Sequence, residues 1–236
     1  MTEPEPVLVI GATQGTGRHV VRRLLRDGWS VRVLARDPAR ARAIFGDSVQ
    51  VAPGDLTRAE TLRPAIEGAG HVVLTAGVTK RPAPEALVRS TEFEGTVNVV
   101  NAAREAGLTG RLLYMSAIGT TRWSLLGVLL NLIKGNTLKW RRRAEEEIRG
   151  SGLDYTIVHA GILNDRPGGQ RAIRVTQRRL PLSPRYRISR EDAADVLVLA
   201  LRDPRSRNAT LDVAWVRGTP STDRDSLFAG IQPERP

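Results

Sequence analysis

The sequence has no cysteine, which excludes disulfides, thiolate metal sites and a cysteine nucleophile. Lysine is almost missing as well. Of the 36 basic residues only Lys80, Lys134 and Lys139 are lysines, leaving 33 arginines under a net charge of +11. Those arginines are dispersed and no nucleic-acid motif accompanies them. The charge therefore reads as arginine-biased composition with attraction for an anionic cofactor, not as a nucleic-acid or membrane-surface partner. The densest run, Arg141 to Arg143, is followed by Glu145 to Glu147 on one helical stretch, the pattern of a solvated face. Long apolar runs are lacking too. The most apolar stretch, 123–133 (WSLLGVLLNLI), contains Asn131 and falls short of the ~20 residues that span a bilayer. It reads as a core helix, a contact in a homodimer, or an apolar flap over a pocket. Residues 2–6 are polar and proline-rich, unlike a secretory leader, so a cytoplasmic location is expected. Only three histidines occur, and they are too scattered for a metal site; His19 and His71 have no evident partners.

What the sequence does have is a glycine-rich turn near its start. Residues 7–10, VLVI, form an apolar run of strand type, and Gly11, Gly15 and Gly17 follow at once before a helical apolar stripe through Val20, Val21, Leu24 and Leu25. Strand, glycine turn and helix in this order make the first half of a dinucleotide-binding βαβ unit. Glycine lets the backbone turn sharply and lets a pyrophosphate approach, while the helix's free N–H groups and positive dipole end face the anion. Thr13, Gln14 and Thr16 complete this turn, so residues 11 and 13–17 are the expected diphosphate contacts.

At 236 residues the chain suits one large α/β domain over 1–236. Strands are expected at 7–10, 30–35, 49–52, 71–75, 111–115, 154–159 and 209–215. Helices are expected at 17–26, 39–45, about 57–66, 92–106, 139–149 and 190–201, with Ser189 capping the last one and Asp192 three residues on. Such alternation predicts a Rossmann-type, doubly wound parallel sheet, with ligands at the strands' carboxyl ends. Residues 161–187 read as irregular, and 217–236 reads as a polar, partly disordered tail. A loop is expected from Lys80 to Pro84.

Specificity is legible after the second strand. An NAD-binding unit ends that strand in Asp or Glu to accept from the ribose 2′-hydroxyl, whereas a nearby arginine accommodates a 2′-phosphate through paired charge-assisted bonds. Arg36 stands there, with Arg40 one turn on, and points to NADP; Asp37 beside it and the abundance of arginine leave the surface reading open. Asp55 and Leu56 would flank the adenine, and Thr75, Ala76 and Gly77 form a small-residue turn against which the cofactor's ribose can lie. Ser116, at the end of the fifth strand, is placed to bond a substrate oxygen near the nicotinamide, or is ordinary turn chemistry.

Residues 11–17 resemble the GATGxTG turn of atypical short-chain dehydrogenase/reductases, with Gln14 where the middle glycine would stand. ARDP at 35–38, GDL at 54–56, residues 140–145, SGLDYTIV at 151–158 and ISRED at 188–192 extend the likeness over roughly 7–213. The combination resembles the NAD(P)H-binding, NmrA-like branch of that family. The resemblance implies one Rossmann domain with a small carboxyl-terminal substrate region, about 160–188, in reductases or in cofactor sensors without turnover. It also implies that His159 ends a strand beside the nicotinamide, with the backbone of Ala160, Gly161 and Ile162 along its carboxamide.

The same alignment exposes a departure. Relatives with a Tyr-x-x-x-Lys dyad protonate a carbonyl from the tyrosine. Here the tyrosine place is Thr137 and the lysine place is Arg141. Threonine is no phenolic acid, and arginine stays charged while still able to hold a ribose or phosphate. The expectation is an NADP(H)-dependent oxidoreductase transferring hydride to or from a small apolar or aromatic molecule without that dyad, with Ser116, Arg141 and His159 as candidate catalytic residues. The alternative is a sensor or scaffold that binds NADP(H) without turnover.

Overall fold

A computed structural model of the chain describes residues 5–79, 82–121, 125–133, 135–220 and 225–234. Lys80 of the expected loop, Trp123 of the apolar stretch and parts of the expected tail (221–224, 235–236) lie outside them. The strands are β1 (Val7–Ile10), β2 (Val31–Ala35), β3 (Gln50–Pro53), β4 (His71–Leu74), β5 (Leu112–Ala117), β6 (Tyr155–Ala160), β7 (Ile162–Asn164), β8 (Ala172–Thr176), β9 (Arg187–Ser189) and β10 (Ala209–Val216). The helices are α1 (Gly15–Arg26), α2 (Pro38–Phe45), α3 (Leu62–Ile66), α4 (Glu85–Val88), α5 (Gly95–Glu105), α6 (Leu125–Ile133), α7 (Thr137–Gly150) and α8 (Arg190–Arg202).

The strand order β3-β2-β1-β4-β5-β6-β10-β8 makes a Rossmann-like sheet, parallel from β3 to β10. Strands covered on both faces read as near-continuous apolar runs, and every residue of β1 and β6 is buried, the polar Thr156 and His159 of β6 included. Helices α1, α2 and α8 pack on one face through Val20, Leu24, Phe45, Val196 and Leu197. Helices α3, α5 and α7 cover the other through Leu62, Ile66, Val99 and Ile148. Local chemistry fixes the helix starts. The Asp37 carboxylate accepts from the Arg40 N–H at 3.0 Å with Pro38 in the first turn, and Ser189 Oγ accepts from the Asp192 N–H at 3.0 Å.

Several expectations need correction. The stretch 161–187 is not irregular, since it holds β7 and β8 and leads into β9. Strand β8 pairs antiparallel with β10 (Val175 with Val213, Ile173 with Trp215), which closes the edge of the sheet. Its polar neighbours and glycine-rich approach hide a five-residue edge strand, because pairing with a distant strand, not local pattern, creates it. Strands β7 and β9 pair into a second, two-stranded sheet. The expected helix over 92–106 begins at Glu85 and passes through a π-helical turn, Arg89–Glu94, before α5. Within 217–236, Phe228 and Ile231 are buried in the main core and the Glu234 carboxylate accepts from Tyr155 and Thr210, so that part is packed, not a loose tail. His71 does have a partner: its Nδ1 accepts from the Arg111 N–H at 2.9 Å.

Candidate functional site

The strand order reverses between β1 and β4, which opens a crevice at the carboxyl ends of the central strands. The glycine turn sits there. Gly11 has φ +90°, and a side chain on it would meet the Ala76 backbone nitrogen at 2.7 Å. A Cβ on Gly17 would stand 2.2 Å from the Gly11 carbonyl and 2.5 Å from Thr75 Oγ1, so only glycine lets α1 start this close to the sheet. Thr75 Oγ donates to the Ile10 carbonyl at 3.1 Å and locks the β4 end against this turn.

Two features of α1 suit an anion. Its N-cap, Gln14, makes no side-chain cap, and its first turn has no acidic residue. The Thr16 hydroxyl is buried without a partner among the described residues, although such groups are normally bonded. An uncapped helix start and an orphaned hydroxyl in one glycine turn fit the diphosphate of a dinucleotide. Thr13 is half-buried and Gln14 and Gly15 are exposed on this turn. Arg190 was not anticipated here: its side chain lies 3.7 Å from where a Cβ on Gly15 would be, and it pairs with Asp165 at 2.7 Å.

At the end where adenosine was expected, Arg36 follows β2 and is exposed, and its guanidinium has no ion-pair partner among the described residues. The Asp55 carboxylate accepts from the backbone and hydroxyl of Thr57, each at 2.9 Å. Leu56 is turned into the core against Gly95, not toward the crevice, because Gly95 leaves a gap that only a side chain from this loop fills.

At the opposite end the Thr137 and Arg141 places are both tied to one carboxylate. Glu92, 2% exposed, accepts from Thr137 Oγ at 2.5 Å, from Arg141 Nε at 2.9 Å and from the Val78 N–H at 3.0 Å. Arg141 also donates to the Met115 carbonyl at 2.9 Å, and its guanidinium lies 2.6 Å from where a Cβ on Gly77 would be. Burial pushes the Glu92 carboxyl up, but the Arg141 charge and the hydrogen bonds outweigh it and hold the group ionised; Arg141 is raised by the same pairing. The two dyad positions thus brace the floor beneath Gly77. The π-helical turn carries Glu92 inward, a displacement no sequence period announces.

Ser116 and His159 are register partners at the ends of β5 and β6. Both are buried, and their polar atoms join one internal network. Ser116 Oγ donates to Glu145 Oε1 at 2.6 Å, His159 Nε2 donates to the same oxygen at 3.0 Å, and His159 Nδ1 donates to Asp212 Oδ1 at 2.7 Å. Thr120 Oγ1 lies 3.3 Å from Nε2, Arg149 donates to Glu145 Oε2 at 3.2 Å, and the Leu180 N–H donates to Asp212 Oδ2. Burial disfavours the charged ring, yet the bonds to Asp212 and Glu145 prevail and push His159 up to about 9. Glu145 is held below the usual carboxylate range against its burial, chiefly by His159. The two groups expected from the sequence as donors to a substrate are thus bonded to internal carboxylates. The missed partners Glu145 and Asp212 differ in legibility. A carboxylate inside the apolar run of β10 is a signal; one more glutamate in the Glu145–Glu147 cluster is not.

The remaining expected contacts are backbone. Ala160 is buried, Gly161 N–H donates to Val213, and Ile162 N–H donates to the Tyr186 carbonyl at 2.8 Å. A Cβ on Gly161 would meet that same carbonyl at 2.6 Å. Helix α6 presents Leu125, Val128, Leu129, Leu132 and Ile133 to solvent. Among the described residues no cluster of His, Asp and Glu is placed to hold a metal, and no helix is long and apolar enough to cross a membrane.

The chain matches the NAD(P)H-binding family over residues 11–204 and belongs to it. It is 32% identical to an uncharacterized chloroplastic protein of Arabidopsis thaliana, over 98% of this chain and 76% of that one. Sanguinarine reductase of Eschscholzia californica is 27% identical, over 95% of each chain. Among solved structures, a wide-type short-chain dehydrogenase/reductase of Veillonella parvula in complex with NADP superposes with TM-score 0.72 at 16% identity, covering 91% of this chain and 96% of that one. At that identity the likeness is one of fold.

Proposed function

We propose that this protein is an NADP(H)-dependent oxidoreductase of the NmrA-like branch, passing hydride between nicotinamide and a small apolar or aromatic molecule. The observation that carries the reading is the glycine turn with its uncapped helix start and orphaned Thr16 hydroxyl. Support for the phosphorylated cofactor comes from the unpaired Arg36 guanidinium and from a fold neighbour whose complex holds NADP.

In this reading residues 11 and 13–17 hold the diphosphate, Arg36 the 2′-phosphate, and the Asp55 loop the adenine. Thr75 to Gly77 and the backbone of Ala160 to Ile162 line the nicotinamide half. NADPH, when bound, supplies the hydride. Arg141, Ser116 and His159 act by position: the first braces Gly77 through Glu92, and the other two keep the ends of β5 and β6 level. With Thr137, Arg141, Ser116 and His159 all bonded to internal carboxylates, the acceptor in this reading stabilises its own added charge, as flavins and quinones do, and the final proton comes from solvent. A cytoplasmic location and a homodimer joined through the α6 face accompany this reading.

The same inward pairing of Thr137, Arg141, Ser116 and His159 favours a second reading, a cofactor-occupied sensor or scaffold without turnover. NADPH oxidation against a panel of flavins, quinones and simple ketones separates the two. Turnover with flavins or quinones that survives Thr137→Ala supports the enzyme. Turnover with ketones alone, abolished by Thr137→Ala, overturns the direct hydride route, and tight NADPH binding without any turnover leaves the sensor. Arg36→Ala should remove most of the preference for NADPH over NADH while leaving NADH affinity unchanged; equal loss of both would make Arg36 a general charge.

A further inference from the structure

A cavity of about 600 Å³ opens between the two small strands and the carboxyl end of β10. It is lined by Asn164 of β7, Arg187 of β9, Trp215 of β10 and four more arginines, 166, 171, 185 and 217. None of these five arginines forms an ion pair with a carboxylate among the described residues, and no acidic side chain lines the cavity. Some arginines of this chain are paired, Arg190 with Asp165, Arg23 between Asp27 and Asp195, and Arg149 with Glu145, and many others stand singly on the surface; what sets this place apart is that five unpaired ones share one concavity. Five unneutralised guanidinium groups around one concavity repel one another, and the field inside it draws anions.

The wall is also built, not accidental. The Trp215 indole N–H donates to Asp192 at 2.7 Å, and Arg171 lies 5.1 Å over its ring. Arg187 Nε donates to the Pro184 carbonyl at 2.8 Å, which fixes its stem and leaves its terminal nitrogens directed by that bond alone. Asn164 Nδ2 donates to the Ile188 carbonyl at 3.1 Å, and Asn164 Oδ1 accepts the Arg166 N–H. Antiparallel pairing of Ala172 with Val216 brings Arg171 and Arg217 to the same end of the sheet.

This is not the place of the adenosine phosphate. Five strand spacings separate β2, which leads to Arg36, from β10 in the sheet order. At ~4.8 Å per spacing, that is roughly 24 Å. The cavity lies beyond β6, on the far side of the expected nicotinamide position from Arg36.

We infer that this cavity is the acceptor's anion-binding subsite, and that the molecule reduced or oxidised here carries a phosphate or several carboxylate groups. Guanidinium forks pair with either group through two parallel bonds. The inference rests on the proposed oxidoreductase reading and narrows its substrate class from apolar or aromatic molecules to anionic ones.

The test titrates the intact protein calorimetrically with two matched pairs: flavin mononucleotide against riboflavin for phosphate, and benzenehexacarboxylate against benzoate for carboxylate. The expected result is that the polyanion of at least one pair binds tenfold or more tightly than its less charged analogue. Arg166→Gln/Arg217→Gln should remove that gain and leave NADPH affinity unchanged, whereas the remote surface pair Arg63→Gln/Arg104→Gln should leave it intact. Equal weakening by both double variants would reduce the effect to the net charge of the chain and overturn the subsite, as would no discrimination within either pair. Tighter binding of random duplex DNA than of any small anion, lost in the cavity variant, would overturn it in favour of a nucleic-acid surface. NADPH titration is scored separately. Polyanion binding that persists without NADPH binding upholds the cavity while refuting the oxidoreductase, and the converse refutes the cavity alone.

Discussion

Raising the pH tests the buried Glu145–His159–Asp212 network most directly. His159 is 1% exposed and its pKa stands at about 9 against an ordinary 6.5. A folded-state value above the unfolded one means that folding favours the protonated ring. The resulting stabilisation is fully present below about pH 6.5 and is lost as pH rises through about 9. A displacement of about 2.5 pH units, at about 1.4 kcal/mol each, is on the order of 3 kcal/mol. Glu145 moves the other way: its lowered value contributes above the ordinary carboxylate range and is lost only in acid, outside this window. Urea unfolding at about pH 6 and about pH 9.5 measures the effect, with His159→Gln as reference to cancel other titrating groups. Wild type should lose on the order of 3 kcal/mol more than the variant across that interval. Proton NMR of the His159 ring gives an independent reading, with a midpoint near 9. Equal pH dependence in the two proteins, or a ring that titrates near its ordinary value, would refute the charged network and return His159 to the pool of candidate proton donors.

Removing Arg141 should be costly for a different reason. Arg141→Met leaves Glu92 buried with an uncompensated charge, a loss of about 3–5 kcal/mol by denaturant titration. Arg141→Met/Glu92→Leu should recover part of it, and no recovery would mean that the arginine matters through packing alone. Gly17→Ala forces a methyl against the Gly11 carbonyl at 2.2 Å, so it should cost about 1–3 kcal/mol and weaken NADPH binding in the same titration. Unchanged cofactor affinity in a folded Gly17→Ala protein would argue against the turn as the diphosphate site.

The fold was legible because its signals are local. Four apolar residues, three glycines and a helical stripe announce β1, the turn and α1 without reference to anything distant. Asp37-Pro38 and Ser189 with Asp192 mark helix starts that backbone hydrogen bonding alone requires. The glycine turn was legible on the same ground, since Gly17 answers to the Gly11 carbonyl six residues back; that both glycines also clear the Thr75–Ala76 backbone and side chain shows only once β4 lies beside β1.

What the sequence could not supply is direction and partnership across the sheet. Ser116 and His159 are named correctly as strand-end residues, yet only the pairing of β5 with β6, and the arrival of Glu145 from α7 and Asp212 from β10, decides which internal partners their polar atoms bond. Thr137 and Arg141 read as a lost catalytic dyad; their service to Glu92 depends on a π-helical turn that no hydrophobic period encodes. Strand β8 exists because β10 offers an unpaired edge, and the arginine-lined cavity because that pairing sets Arg171 and Arg217 side by side. Periodicity and turn chemistry are short-range and survive in one dimension. Charge pairing, side-chain facing and edge completion join residues far apart in the chain, so they are settled only when the sheet has closed.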